Sequence, residues 1–214
     1  MNRTSFLVDG FNLYHSLRDA SRALGGVGTK WLDLRSLCDS YLYQIGGSAQ
    51  TVGVFYFSAL ARHLEATNPG ITARHVDYLS ALRSRGVTVE LAHFKEKRQR
   101  CPHPTCRLEI KRHEEKETDV AIALKLLELL WLDQCDSVVL LTGDSDLAPA
   151  IRAARRLAPH KRIYCLFPHA RGSIELRNLA ARTFRIKKER YAQFQLPDGV
   201  QLLDGRAVSK PQGW

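Results

Sequence analysis

Three short acidic stretches define the chemistry this chain could perform. Asp9-Gly10 follows the apolar run Ser5 to Val8, and Thr142-Gly143-Asp144-Ser145-Asp146 follows another, Ser137 to Leu141. Apolar runs bounded by turn residues fit buried parallel strands. Ligands of open α/β sheets sit beyond the carboxyl ends of such strands, where Asp9, Asp144 and Asp146 fall. The third stretch holds Glu115 and Asp119 at the start of a long apolar helical pattern. Their spacing would put them on one helix face, with Lys116 close by. Four carboxylates gathered at one place would repel by roughly 4 kcal/mol per close pair at an effective dielectric near 20. Mg²⁺ or Mn²⁺, one ion or two, would remove that cost, since hard ions prefer oxygen ligands. Such ions activate water and stabilise charge on a phosphodiester. Each acid also has a structural reading. Asp9 could make a turn, Asp119 favour a helix N-terminus, Asp144 and Asp146 cap or turn, and Glu115 be a solvated charge. Their conjunction at successive strand ends favours a site.

The elements that must position these acids alternate. Strands are expected at 5–8, 51–58, 87–92, 137–141, 162–167 and 183–186. Helices are expected at 11–24, 34–45 behind Asp33 as a cap, 72–85, 114–132, 147–157 and 174–181. In the helix over 114–132, Val120, Leu124, Leu127 and Trp131 form an apolar stripe that should face the core. The alternation predicts an α/β fold, a central parallel sheet with helices on both faces. From Tyr191 onward, Pro197, Gly199, Gly205, Pro211 and Gly213 suggest an irregular extension over 191–214, leaving one domain over 1–190.

The 214 residues, 44% hydrophobic and 25% charged, suffice for one globular domain with an extension. A net charge of +10 points to a polyanionic partner, of which nucleic acid is the commonest. No apolar run is long enough for a membrane span, and residues 1–5 lack the apolar core of a signal peptide, so a cytoplasmic location is expected. Five cysteines at irregular spacing fit a reducing compartment. Cys38, Cys135 and Cys165 lie in apolar patterns and should be core residues.

Taken together, Val8-Asp9-Gly10-Phe11-Asn12-Leu13, Glu115-Lys116-Glu117-Thr118-Asp119-Val120 and Thr142-Gly143-Asp144-Ser145-Asp146-Leu147 resemble the three signature blocks of NYN domains, in the family's order. These domains belong to the PIN-like nuclease superfamily, and the blocks look most like its bacterial LabA-like branch. The resemblance covers roughly residues 6–186. It implies a Rossmann-like, three-layer α/β/α fold and metal-dependent cleavage of RNA. It also implies that Asp9, Asp119, Asp144 and Asp146 bind the metal. Asn12 would orient a ligand or the attacking water, and Thr142 would support the acidic loop. Glu115 and Lys116 match the middle block in less defined supporting roles.

Between the third strand and the long helix lies a basic insert over 94–113. Lys95, Lys97, Arg98, Arg100, Arg107, Lys111 and Arg112 there outnumber Glu96 and Glu109. Such cations could hold a phosphate backbone beside an acidic metal site, or form a solvated loop. Cys101, His103, Cys106 and His113 could ligate zinc, although the cysteine gap is wide; free thiols or a labile disulfide are the alternative. Arg171, in Pro168-His169-Ala170-Arg171-Gly172-Ser173, could receive a phosphate, or Ser173 could simply cap a helix. His15 and His75 read as helix-surface residues. An aspartyl-nucleophile phosphatase would need an aspartate where Phe11 stands. The expectation is an endoribonuclease acting on single-stranded or looped RNA, and paired sheets or helices could make it a homodimer. The other reading is an RNA-binding or protein-interaction module with little turnover.

Overall fold

Strand β1 (Asn2–Asp9) is the axis of the fold. In the computed structural model, residues 1–103, 105–106 and 108–214 are described, with Ile110, Arg112 and Glu114 described in their backbone alone. Along β1, Phe6 and Val8 enter one buried cluster and Leu7 enters the other. A strand covered on both faces must be apolar at every position, which is why it reads as a continuous run.

Helix α1 (Gly10–Ala23) leaves β1 directly, and α2 (Leu34–Asp39) and α3 (Leu42–Ile45) follow. Next come β2 (Ala49–Ala59), α4 (Ile71–Ser84), β3 (Thr88–Arg100) and β4 (Glu109–Lys116). After them lie α5 (Thr118–Trp131), β5 (Ser137–Leu141) and α6 (Ala148–Leu157). The chain continues through β6 (Arg162–Phe167), α7 (Ile174–Leu179) and β7 (Arg182–Arg185). A seven-stranded sheet runs β4-β3-β2-β1-β5-β6-β7, parallel except for the antiparallel β3/β4 pair at one edge. One core cluster lies with α1, α2 and α4, the other with α5, α6 and α7. This is the three-layer α/β arrangement expected. Among the described residues, no helix is long and apolar enough to cross a membrane.

Four expectations need correction. The single helix expected over 34–45 is two, because the Ser40 hydroxyl donates to the Leu37 carbonyl at 2.6 Å and breaks the turn. Most of the insert is not a loop: β3 runs to Arg100 and pairs with β4. Residues 114–116 are therefore strand, and α5 starts only after Glu117, whose φ of +75° reverses the chain. The expected stripe on α5 is largely outside, with Val120 61%, Leu124 62% and Trp131 74% exposed. Ile122, Leu126, Leu129 and Leu130 are buried instead. A helix that is apolar on most sides does not declare its core face by periodicity.

The tail is also ordered into elements. Helix α8 (Lys188–Gln193) places Tyr191 in the core, its hydroxyl 2.8 Å from that of Ser16. Strands β8 (Gly199–Gln201) and β9 (Ala207–Ser209) form a hairpin, and Leu196 and Val200 join the core. The Trp31 indole donates to the Pro197 carbonyl at 2.8 Å. The Pro and Gly residues mark turns between anchored segments.

Candidate metal centre

Two strand ends are stitched together at the carboxyl edge of the sheet. Asp9 caps α1: its Oδ1 accepts the Asn12 amide at 2.9 Å and its Oδ2 accepts the Thr142 hydroxyl at 2.8 Å. Thr142 Oγ1 in turn accepts the Asp144 amide at 3.0 Å, and Asn12 Oδ1 accepts the Gly143 amide at 3.1 Å. Asp144 Oδ1 accepts the Asp146 amide at 3.0 Å and caps the short turn before α6. Asp9 and Asp144 are thus capping residues, whereas Asp146 contributes its amide to the Asp144 cap. Asp119 enters from the first turn of α5. Asp9, Asp119 and Asp144 each offer one carboxylate oxygen, and these oxygens lie within 4.8 Å of one another.

Glycines permit the approach. A Cβ on Gly10 would collide with the Phe57 carbonyl and lie 2.7 Å from the Tyr56 ring. On Gly143 it would lie 2.9 Å from the Arg171 Cβ and the Gly172 nitrogen.

Electrostatics follow from crowding. Burial pushes the Asp9 carboxyl up to about 6 against the hydrogen bonds from Asn12 and Thr142, with Glu115 and Asp144 adding to the rise. Burial also raises Asp119 to about 6, reinforced by Asp144, Asp9 and Asp146. Burial raises Glu115 too, against a 2.5 Å hydrogen bond from the Thr118 hydroxyl and with the Asp119 charge contributing. Anions this close, with burial against them, favour a cation.

The other expected site residues divide. Asp146 is exposed and outside the close trio, although its charge reaches Asp119. Glu115 stands on β4 rather than on the helix of Asp119, yet it still borders the cluster. Strand alternation turns Lys116 to the face opposite Glu115. In the hairpin, alternation and register put Arg98, Arg100 and Lys111 on the face of His113 and Glu115, and Lys95 and Lys97 on the other. Glu96 takes part of that charge, 3.0 Å from Arg98 and 3.9 Å from Lys111. Arg107 and the side chain of Arg112 lie outside the described residues. Arg171 is paired with Asp19 at 2.6 Å, and Ser173 caps α7.

Cys101, His103, Cys106 and His113 do not make a zinc site among the described residues: the acid trio is the one group that offers three ligand atoms together. His113 stacks on His63 at 4.1 Å, the His103 ring bonds Thr105 at 2.9 Å, and both cysteines are free thiols. The antiparallel pairing of β3 and β4 draws His113 down the hairpin, away from the cysteine turn. His15 and His75 are half-buried rather than on an open helix surface. Both line a cavity of about 530 Å³ beside the acids, together with Arg18, Lys30 and Arg74, which no motif marked.

The family model described as NYN domain matches residues 3–187. No curated protein matches the sequence. Among solved structures, a protein of unknown function from Vibrio parahaemolyticus RIMD 2210633 is similar at 18% identity, covering 91% of this chain and 96% of that one, with a TM-score of 0.56. That likeness supports the fold. MurG of Acinetobacter baumannii aligns at 9% identity over 86% of this chain and 45% of its own, with a TM-score of 0.37, too low to bear on the fold.

Proposed function

The chain belongs to the NYN domain family, and from that membership and the acid cluster we propose that it is a metal-dependent endoribonuclease. The observation that carries the reading is the convergence of Asp9, Asp119 and Asp144, from two strand ends and a helix start, to within 4.8 Å. The donor set fits Mg²⁺ or Mn²⁺: all three ligands are carboxylate oxygens, with neither thiolate nor imidazole in the trio. When bound, such an ion supplies Lewis-acid charge and a lowered water pKa for phosphodiester hydrolysis.

The residues around it have separable tasks. Asp9, Asp119 and Asp144 would hold the ion, and the exposed Asp146 would add negative charge beside them. Thr142 fixes Asp9 and the Asp144 backbone through one hydroxyl. Asn12 fixes Gly143, so its first task is to shape the acidic loop rather than to orient water. Glu115 borders the trio, its carboxylate held by a 2.5 Å hydrogen bond from the Thr118 hydroxyl. RNA in single-stranded or looped form suits the site, because an exposed strand can reach a recessed carboxylate cluster.

Purified protein incubated with structured and unstructured RNA in Mn²⁺ tests this. Cleavage should stop in chelator and in Asp144→Asn. Cleavage that survives either contradicts the mechanism. Equal RNA retention by wild type and Asp9→Asn, without any cleavage, would favour a binding module.

A further inference from the structure

The cavity of about 530 Å³ begins at the edge of the acid cluster, for Gly10, Phe11 and Glu115 form part of its wall. The rest of the wall draws on α1, the segment before α2, β2 and the segment after it, α4, the β3/β4 hairpin and the tail. It is large enough for one nucleotide unit.

Its chemistry is of two kinds. Three cations converge, from α1, the following segment and α4: Arg18, Lys30 and Arg74. Arg18 lies over the Tyr14 ring at 5.7 Å and Lys30 over the Trp214 ring at 5.9 Å. Arg74 bonds the Pro69 carbonyl at 2.9 Å and the Asn68 side-chain oxygen at 2.7 Å. These partners are rings and neutral oxygens, although the charge of Arg74 also acts on the Glu65 carboxylate outside the cavity wall. Burial and the charges of Arg18 and Arg74 together make Lys30 less basic. Among the described lining residues Glu115 has the one carboxylate side chain, and it stands at the acid end. Cations gathered in this way are stabilised by an anion. The second kind is aromatic. Tyr14 and Trp214 border the space, and Phe94 meets His63 edge-on at 4.7 Å. Such rings offer faces to a base, while a plain phosphate would not use them.

We propose that this cavity holds one unstacked nucleotide of the RNA strand, next to the phosphodiester presented to the acids. Its base lies against Tyr14 and Trp214, and its phosphate meets Arg18, Lys30 and Arg74. The assignment rests on the hydrolytic reading of the acid cluster and makes it specific: the substrate must release a base from its stack, so a continuous duplex is excluded.

Binding measured in chelator separates this site from turnover. A fluorescent single-stranded oligoribonucleotide should bind the full chain more tightly than a blunt duplex of the same composition. The double variant Arg18→Gln, Arg74→Gln should weaken single-strand binding about tenfold, and Trp214→Ala by a similar factor. A strand carrying 4-thiouridine, irradiated with unaltered protein, should crosslink to peptides containing Tyr14 or Trp214, a result independent of variant folding. Unchanged affinity in folded variants, or crosslinks only elsewhere, overturns the proposal. A free 5′-mononucleotide that binds as tightly as the strand also overturns it, by making the cavity a small-molecule site. If wild type binds and crosslinks as described but cuts no RNA in Mn²⁺, the nucleotide site stands and the hydrolytic reading falls.

Discussion

The two regions flanking Asp9-Gly10 handle charge in opposite ways. On one side, three carboxylates crowd within 4.8 Å, with Asp9 and the Asp144 loop tied together by hydrogen bonds through Asn12 and Thr142 and Asp119 brought in by α5. On the other, Arg18, Lys30 and Arg74 share a cavity with aromatic rings. The acids sit where strands end and helices begin, so the sheet itself brings them together. The cations depend on long side chains from separate elements, which reach inward along apolar stems. A polyanion whose phosphate must meet a cation at one point and a base-binding surface at the next needs both regions side by side.

Substitutions can separate the two. The largest effect should come from Asp119→Asn, which removes one of the three proposed ion ligands. Cleavage should fall by about a thousandfold or more, because several kcal/mol of charge stabilisation are lost. Strand binding in chelator should stay within a factor of about two, because the cavity is untouched. A parallel collapse of binding would mean that the regions are one site. Gly10→Ala should damage both, since its Cβ meets the Phe57 carbonyl and the Tyr56 ring. A loss of about 3 kcal/mol in denaturant unfolding is expected from such overpacking. Thr142→Val should cost about 1–2 kcal/mol by leaving Asp9 Oδ2 without its hydroxyl donor. Cleavage should fall with it, while single-strand binding stays.

Proton linkage distinguishes the regions further. Asp9 and Asp119 are raised from 3.8 to about 6, so the folded state holds more protons than the unfolded chain between those values. Their contribution to stability is present below the unfolded pKa and is lost as pH rises through about 6. Without metal, thermal melts should therefore show a downward trend over that window that Asp119→Asn flattens. Added Mn²⁺ should raise Tm more at pH 7 than at pH 5, because protons compete for the ligands. An equal metal effect at both values would place the ion elsewhere. The smallest effect concerns salt. Removing the cavity cations should make the slope of log affinity against log salt shallower, by about 0.7 for each phosphate no longer neutralised. An unchanged slope would move phosphate recognition to the β3/β4 hairpin.

How legible each region is in the sequence follows from how it is built. Asp9 and Asp144 are readable because both end apolar runs that the fold buries on two faces. Asp119 is readable as a helix-start residue from its local pattern alone, whereas its neighbour Glu115 belongs to a strand that the same pattern hides. Pairing of 93–100 with 109–116 joins separate segments, and no helical periodicity reports it. The outward face of α5 misleads for a related reason: Val120 and Leu124 repeat at helical spacing just as Ile122 and Leu126 do. Arg18, Lys30, Arg74 and Trp214 carry no mutual spacing at all, since they meet only after α1, α4 and the tail have packed. The tail's turn residues describe its bends and not its anchors, Tyr191 and Leu196.

Anomalous scattering from crystals soaked in Mn²⁺ tests the central claim most directly. A peak bounded by Asp9, Asp119 and Asp144, absent in Asp9→Asn crystals, is the expected result. No peak at those carboxylates, under conditions where the same protein cleaves RNA, would contradict a metal-dependent centre there.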